Sequence, residues 1–131
     1  MEEINKSVSL PGTAALAYLG DARHSLYVRK MLVSRGVCKS GELNSEALRY
    51  VTAEAQAQMY QRIEEELTEC ERDVARRAFN SKHLNKPKHA SGLDYRRATG
   101  FEAVVGMLFW LGDEERLEKL FKLAHSAIDN D

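Results

Sequence analysis

The stretch YLGDARHSLYVR, residues 18–29, has the apolar spacing of an amphipathic helix but carries an acid, Asp21, on its apolar face. A buried carboxylate without a partner costs on the order of several kcal/mol, so Asp21 needs a cation, a metal ion or strong hydrogen bonds. It is therefore the first candidate functional residue of the chain. The residues that share its side of the helix are mostly small or apolar: Ala14, Ala17, Tyr18, His24, Ser25 and Val28.

A second acid, Glu102, has similar surroundings in a later helical pattern, where its neighbours include Ala98, Val105 and Phe109. If the fold brings Asp21 and Glu102 together, the pair suits a hard cation. Mg²⁺ usually takes one or two protein carboxylates and completes its coordination with water and phosphate oxygens. For either acid alone a salt bridge is the more common arrangement, and this alternative stays open. The available partners are Arg23, Arg29, Arg96 and Arg97.

Length and composition predict one compact domain of the all-α class. The chain has 131 residues, of which 44% are hydrophobic and 30% are charged. Apolar residues recur at three- and four-residue steps, and no strand-like alternation occurs. Helices are expected at about 13–34, 45–67, 68–79, 93–111 and 113–128, and the stretch 80–92 is expected to be an exposed loop.

The second and third of these helices have recognisable starts. Ser45 can cap the second helix, and Thr68 followed by Glu71 has the spacing of a capping box that opens the third. The second helix is expected to run without a break, with one apolar stripe facing the core. That stripe consists of Leu48, Val51, Ala55, Met59, Ile63 and Leu67.

The sequence predicts an unexported protein that does not interact with membranes. Its N-terminus lacks the pattern of a signal peptide, and its most apolar stretch, residues 103–112, is too short to span a bilayer. Cys38 and Cys70 lie far apart, without a second Cys or His at metal spacing. Free thiols, and hence a cytoplasmic location, are the expectation.

Four short strings resemble the catalytic domain of ribonuclease III. YLGDA at 18–22 is matched by FEAVVG at 101–106, with Glu102 standing 81 positions after Asp21. RRAFNSK at 76–82 and YRRATGFEA at 95–103 are similar to the short branch of that family, Mini-ribonuclease III, which lacks a double-stranded-RNA-binding domain. The resemblance extends over roughly residues 10–127 and implies that 1–131 form a single catalytic domain with that family's helical bundle.

The resemblance implies an endonuclease that hydrolyses double-stranded RNA and leaves 5′-phosphate and 3′-hydroxyl ends. It implies Mg²⁺ as the cofactor, with Mn²⁺ as a substitute, and Asp21 and Glu102 as catalytic metal ligands. It also implies a homodimer that matures the large-subunit ribosomal RNA precursor, with a ribosomal protein as a possible helper. The apolar residues of the first helix and of the helix at 93–111 are expected to form the dimer interface.

The chain departs from the family pattern at two further metal-binding positions. The longer relatives carry a Glu four residues before the signature Asp and an Asp three residues before the later Glu, where this chain has Ala17 and Thr99. The four-carboxylate site is thereby reduced to two acids. Thr99 is a candidate for orienting a water at the site, and the alternative is that it bonds its own helix backbone.

A basic segment precedes Glu102. Residues 76–97 carry a net charge of +6, whereas the rest of the chain carries −7. Because A-form RNA offers mainly phosphates and 2′-hydroxyls, this composition suits RNA binding, although a solvated loop is the alternative. The candidates for phosphate contacts are Arg76, Arg77, Asn80, Lys82, Lys86 and Lys88, with His83 and His89 as secondary donors.

Two other functions remain open at this point. An inactive or weakly active nuclease-like protein that only binds RNA would explain the missing acids at Ala17 and Thr99. A helical protein-interaction module would explain the two remaining acids as ordinary salt bridges. His24 and His125 have no partner at metal-ligand spacing and receive no role.

Overall fold

The computed structural model describes residues 9–81 and 92–129. These ranges contain helices and no strand, which confirms the all-α prediction. One turn of 3₁₀ helix, Glu64–Glu66, follows the helix Ala53–Ile63. The α-helices are α1 (Thr13–Ser34), α2 (Ser40–Val51), α3 (Ala53–Ile63), α4 (Glu69–Phe79), α5 (Gly92–Trp110) and α6 (Glu114–Asp129).

Helix α5 lies at the centre of the bundle and packs against α1, α3, α4 and α6. Its residues 98–108 are buried on every side of the helix, except for the half-buried Glu102. A helix that is apolar all round can be stable in water only when other helices surround it. The acid at Glu102 is therefore an exception inside the most buried helix of the protein.

The predicted bounds of the first helix are correct, but the predicted second helix is wrong in two ways. It begins at Ser40 and not at Ser45, and it is divided at Thr52 into α2 and α3. Thr52 is extended, with ψ 159°, and its side chain accepts a hydrogen bond from the amide of Ala55, so it caps α3. The break changes the phase of the apolar stripe, and Leu48 is consequently 60% exposed.

The predicted capping box at the start of α4 is confirmed. Thr68 and Glu71 each accept a hydrogen bond from the other's backbone amide. Glu71 is only 2% exposed, and Arg116 of α6 donates two hydrogen bonds to its carboxylate, at 2.8 and 2.9 Å. This ion pair joins the start of α4 to α6.

The fold bears on two sequence predictions, the one about membrane spans and the one about free thiols. Across the described ranges, no helix combines the length and the apolar character that a membrane span requires. Cys38 is exposed and Cys70 is half-buried, and both are free thiols, as the sequence predicted.

Candidate active site

The two acids meet where α1 crosses α5 at a pair of glycines. A Cβ atom on Gly20 would lie 1.7 Å from the carbonyl oxygen of Glu102, and one on Gly106 would lie 1.8 Å from that of Leu16. Neither position has room for any side chain, so the two backbones are in direct contact. Because Asp21 follows Gly20 and Glu102 lies one turn before Gly106, the crossing brings both acids to the same place.

The carboxyl groups of Asp21 and Glu102 are hydrogen-bonded to each other. Burial raises the pKa of Glu102 to about 9, and the adjacent carboxyl of Asp21 raises it further in the same direction. Asp21 itself is exposed, which corrects the expectation that it faces the core. The crossing leaves Asp21 at the edge of the helix contact, between the half-buried Glu102 and solvent.

The salt-bridge alternative is wrong for the part of the chain that the structure describes. None of its Arg or Lys side chains forms an ion pair with Asp21 or Glu102. Arg23, the nearest candidate in sequence, pairs instead with Glu114 at 2.8 Å. Two carboxyl groups that share a site without a protein cation offer the oxygen donors that a divalent hard cation prefers.

The site is small, in agreement with the two departures from the family pattern. In residues 9–81 and 92–129, no cluster of three or more His, Cys, Asp or Glu side chains could hold a metal. Ala17 is buried, and so is Thr99, whose hydroxyl donates a hydrogen bond to the carbonyl of Tyr95 at 2.9 Å. Thr99 thus makes the backbone bond of the alternative interpretation, and its role toward a water stays a prediction.

Sequence reasoning missed three buried polar residues behind the acids. Gln56 of α3 is 3% exposed and is hydrogen-bonded to His24 at 3.1 Å. Its side chain also lowers the pKa of Glu102, against the effects of burial and of Asp21. His24 in turn is hydrogen-bonded to His125 at 3.0 Å. The signal was present, since His24 shares the helical face of Asp21, but its partners come from distant parts of the chain.

The basic candidates are only partly described. Arg76 and Arg77 are exposed at the end of α4 and share one carboxylate, that of Asp73, at 2.5 and 3.1 Å. Asp73 lies just before the basic segment 76–97, and its carboxylate makes the excess of positive charge at this end of α4 smaller than the segment alone predicted. Asn80 is exposed at the C-terminal end of α4. Lys82, His83, Lys86, Lys88 and His89 lie outside the described residues.

Arginines from two helices, α4 and α5, line a groove beside this end of α4. Its lining combines three arginines with two acids and two aromatic rings: Arg72, Arg76, Arg97, Glu64, Glu65, Tyr60 and Phe79. The guanidinium of Arg96 lies over the ring of Phe79, 6.0 Å from its centroid. The positive charge is therefore distributed over α4 and the start of α5 and is not confined to the predicted loop.

Comparisons with known proteins agree with this fold. Residues 14–113 match the family model of the ribonuclease III domain. The chain is 44% identical over 114 residues to the Mini-ribonuclease 3 of Symbiobacterium thermophilum, an alignment that covers 87% of this chain and 88% of the relative. It is 37% identical over 130 residues to the Mini-ribonuclease 3 of Brevibacillus brevis, covering 99% and 97%.

A solved structure gives the same result. The crystal structure of a protein from Fusobacterium nucleatum matches with a TM-score of 0.81 and 30% sequence identity, over 90% of this chain and 96% of the other. Both the sequence and the arrangement of helices are therefore shared over most of the molecule. The chain belongs to the ribonuclease III family and, within it, to the Mini-ribonuclease 3 branch.

Proposed function

We propose that the protein cleaves double-stranded RNA with a Mg²⁺ ion held by Asp21 and Glu102. Its family makes it an endoribonuclease. The observation that carries the metal assignment is the contact between two carboxyl groups that no Arg or Lys of the described chain neutralises. Mn²⁺ is expected to substitute, because it too accepts carboxylate and water oxygens.

The two acids lie at different depths in the fold. Glu102 is half-buried on the central helix α5. Asp21 of α1 is exposed to the solvent from which a phosphodiester would approach. The chemistry that Mg²⁺ supplies in such a setting is polarisation of a phosphoryl oxygen and a lowered pKa for water. The carboxylates orient that chemistry, and the glycine crossing fixes their separation.

We infer that the basic side chains of α4 and of the segment after it grip the RNA backbone. Arg76 and Arg77 are exposed and retain net positive charge beyond the single carboxylate of Asp73. Each phosphate contact contributes about 0.9 to the slope of log affinity against log salt concentration. Changing both arginines to Ala should therefore weaken RNA binding and flatten this slope, whereas changing the exposed Lys119 and Lys122 of α6 should leave it unaltered. Equal slopes in the two double variants would refute the assignment.

We also propose that the protein acts as a homodimer. Exposed apolar side chains occur on α1 and α5, where the sequence predicted the interface, and Leu26 and Phe109 line one groove between those helices. A two-fold dimer would direct one site to each strand of an RNA duplex. Leu26→Glu should shift the sedimentation of the protein to that of a monomer. Leu48→Glu, at an equally exposed leucine of α2, is the control, and a monomeric wild type would exclude the dimer.

The cellular substrate and setting are finer predictions that stay predictions. They are the large-subunit ribosomal RNA precursor, the participation of a ribosomal protein, and the cytoplasmic location. Because A-form RNA offers mainly phosphates and 2′-hydroxyls, we expect the substrate to be selected by duplex shape or with a partner.

The decisive experiment incubates the protein with a long RNA duplex and Mg²⁺. Cleavage by the wild type, abolished in Asp21→Asn and in Glu102→Gln but retained in Glu115→Gln, supports the proposal. Glu115 is an exposed acid of α6 and serves as the matched control. Binding without cleavage in the wild type would favour the alternative of an inactive or weak RNA-binding protein, which the small size of the acid cluster makes a definite competitor.

A further inference from the structure

Gln56 is a buried polar residue whose side chain lowers the pKa of Glu102. It is 3% exposed, and its amide nitrogen lies 3.1 Å from Nδ1 of His24. Its hydrogen bond to Glu102 favours the charged carboxylate, as a bond donated by the amide does. An amide nitrogen carries two hydrogens, so Gln56 can donate to Glu102 and to His24 at once.

His24 and His125 complete a chain of hydrogen bonds with one direction. Nδ1 of His24 accepts from Gln56, so the ring hydrogen of a neutral His24 is on Nε2 and is donated to Nε2 of His125, 3.0 Å away. Burial lowers the pKa of His24 to about 3 and that of His125 to about 4, and both rings are neutral at neutral pH. The remaining hydrogen is on Nδ1 of His125, a buried atom that has no hydrogen-bond partner in the described chain.

Aromatic packing holds the two histidine rings of this hydrogen-bond chain in place. His24 is fully buried and meets the ring of Phe101 edge-on, with a centroid distance of 5.1 Å. His125 is stacked on Tyr50 at an interplanar angle of 14°, and the hydroxyl of Tyr50 donates to Asp129. Because His24 cannot turn, the amide that it anchors has one preferred orientation toward Glu102.

We propose that Gln56 is a positioning residue that aims the Glu102 carboxylate toward the metal and is itself held in place by His24 and His125. The proposal rests on the proposed function, since it assumes that Glu102 binds a metal. Partners that orient metal ligands typically change metal affinity by about 10- to 100-fold when they are removed. A residue that only fills the core would change the stability of the fold and leave the metal affinity as it was.

The test uses Gln56→Met, which keeps the length of the side chain and removes its hydrogen bonds, with Gln58→Met of the same helix as the control. Gln58 is exposed. Mn²⁺ binding to the RNA-free protein is measured by calorimetry, together with kcat, KM for an RNA duplex, and the melting temperature. We expect Gln56→Met to weaken Mn²⁺ binding about 10-fold or more and to lower kcat at limiting metal, with KM unchanged. Gln58→Met should match the wild type.

Asp21→Asn in the same assays separates failure of this inference from failure of the proposed function. If Asp21→Asn leaves metal binding and cleavage intact, the metal site itself is misassigned. If Asp21→Asn abolishes both while folded Gln56→Met binds Mn²⁺ like the wild type, only the positioning role is overturned. Should Gln56→Met fail to fold, His24→Phe releases the amide without touching Glu102, and weaker Mn²⁺ binding there supports the proposal, whereas unchanged binding overturns it.

Discussion

Two acids of this protein, the buried Glu71 and the half-buried Glu102, have opposite surroundings. Glu71 is 2% exposed and receives two hydrogen bonds from the guanidinium of Arg116, besides closing the capping box of α4. Glu102 lies on the central helix beside a second acid, Asp21, and no Arg or Lys of the described chain compensates either one. The fold compensates the charge of Glu71 with Arg116, whereas it raises the pKa of Glu102 to about 9 and provides no Arg or Lys among the described residues for its charged form. Compensation by the protein marks a structural acid, and its lack marks a site.

The largest effect should come from moving the helix crossing that creates this contrast. Gly20→Ala introduces a Cβ atom that would lie 1.7 Å from the carbonyl oxygen of Glu102, and the two backbones must separate. We expect a loss of at least about 3 kcal/mol in the free energy of unfolding, measured by urea denaturation, together with loss of cleavage. Gly41→Ala, in a helix position with open space, should raise stability by about 0.5 to 1 kcal/mol. Equal stabilities of the two variants would contradict the close crossing.

Glu71→Gln tests the compensated member of the comparison. It leaves the guanidinium of Arg116, whose side chain is 18% exposed, without its carboxylate. We expect the free energy of unfolding to fall by about 2 kcal/mol, since an ion pair that loses one partner leaves a poorly solvated charge. RNA cleavage below the melting temperature should be retained. A variant that is as stable as the wild type but inactive would reverse the roles assigned to the two acids.

The neutral pair His24 and His125 is a third kind of buried polar group, and its contribution to the stability of the fold should decrease at low pH. Both pKa values are lowered from 6.5, to about 3 and about 4, mainly by burial, with Arg23 lowering the first, Arg35 lowering the second and Asp129 opposing that decrease. The unfolded chain therefore binds more protons at these rings below pH 6.5, and their contribution to stability falls as the pH falls toward 4. Each histidine contributes a slope of at most about 1.4 kcal/mol per pH unit in this window.

His125→Phe removes one of these titrating rings, together with its lowering effect on the pKa of His24, which burial still keeps low. Glu102 acts in the opposite direction in the metal-free protein, because its raised pKa makes the folded state bind the additional proton. The useful quantity is hence the difference between wild type and variant in urea denaturation from pH 6.5 to 4.5. We expect the variant's slope to be smaller by up to about 1.4 kcal/mol per pH unit, and parallel pH profiles would show that His125 is not buried as a neutral ring.

Local patterns predicted much of the fold and half of the site. The bounds of α1, the capping box at Thr68 and Glu71, and the two acids themselves could be read from spacing along one helix or from short strings. The division at Thr52 was missed because the apolar stripe appears continuous on both sides of it, and only the cap hydrogen bond to Ala55 distinguishes two helices from one.

The rest of the site depends on contacts between distant segments. Gln56 was not singled out, and His125 received no role. Both are hydrogen-bonded to His24, which lies 32 and 101 positions away from them along the chain. The exposure of Asp21 was misjudged for the same reason. A helical wheel identifies the face on which a residue lies, but the crossing at Gly20 decides how far the partner helix covers that face.

The smallest change in stability, and the clearest use of the comparison, is expected for Glu102→Gln. Its amide can donate to Asp21 in place of the proton that the two carboxyl groups now share, so urea denaturation without metal should give an unfolding free energy equal to that of the wild type or up to about 1 kcal/mol higher. Cleavage should nevertheless fall by on the order of a thousandfold, since a charged ligand at the reacting centre is lost. If Glu102→Gln destabilised the fold as Glu71→Gln does, then the carboxylate of Glu102 would be compensated within the protein, and the reason for placing a metal ion there would disappear.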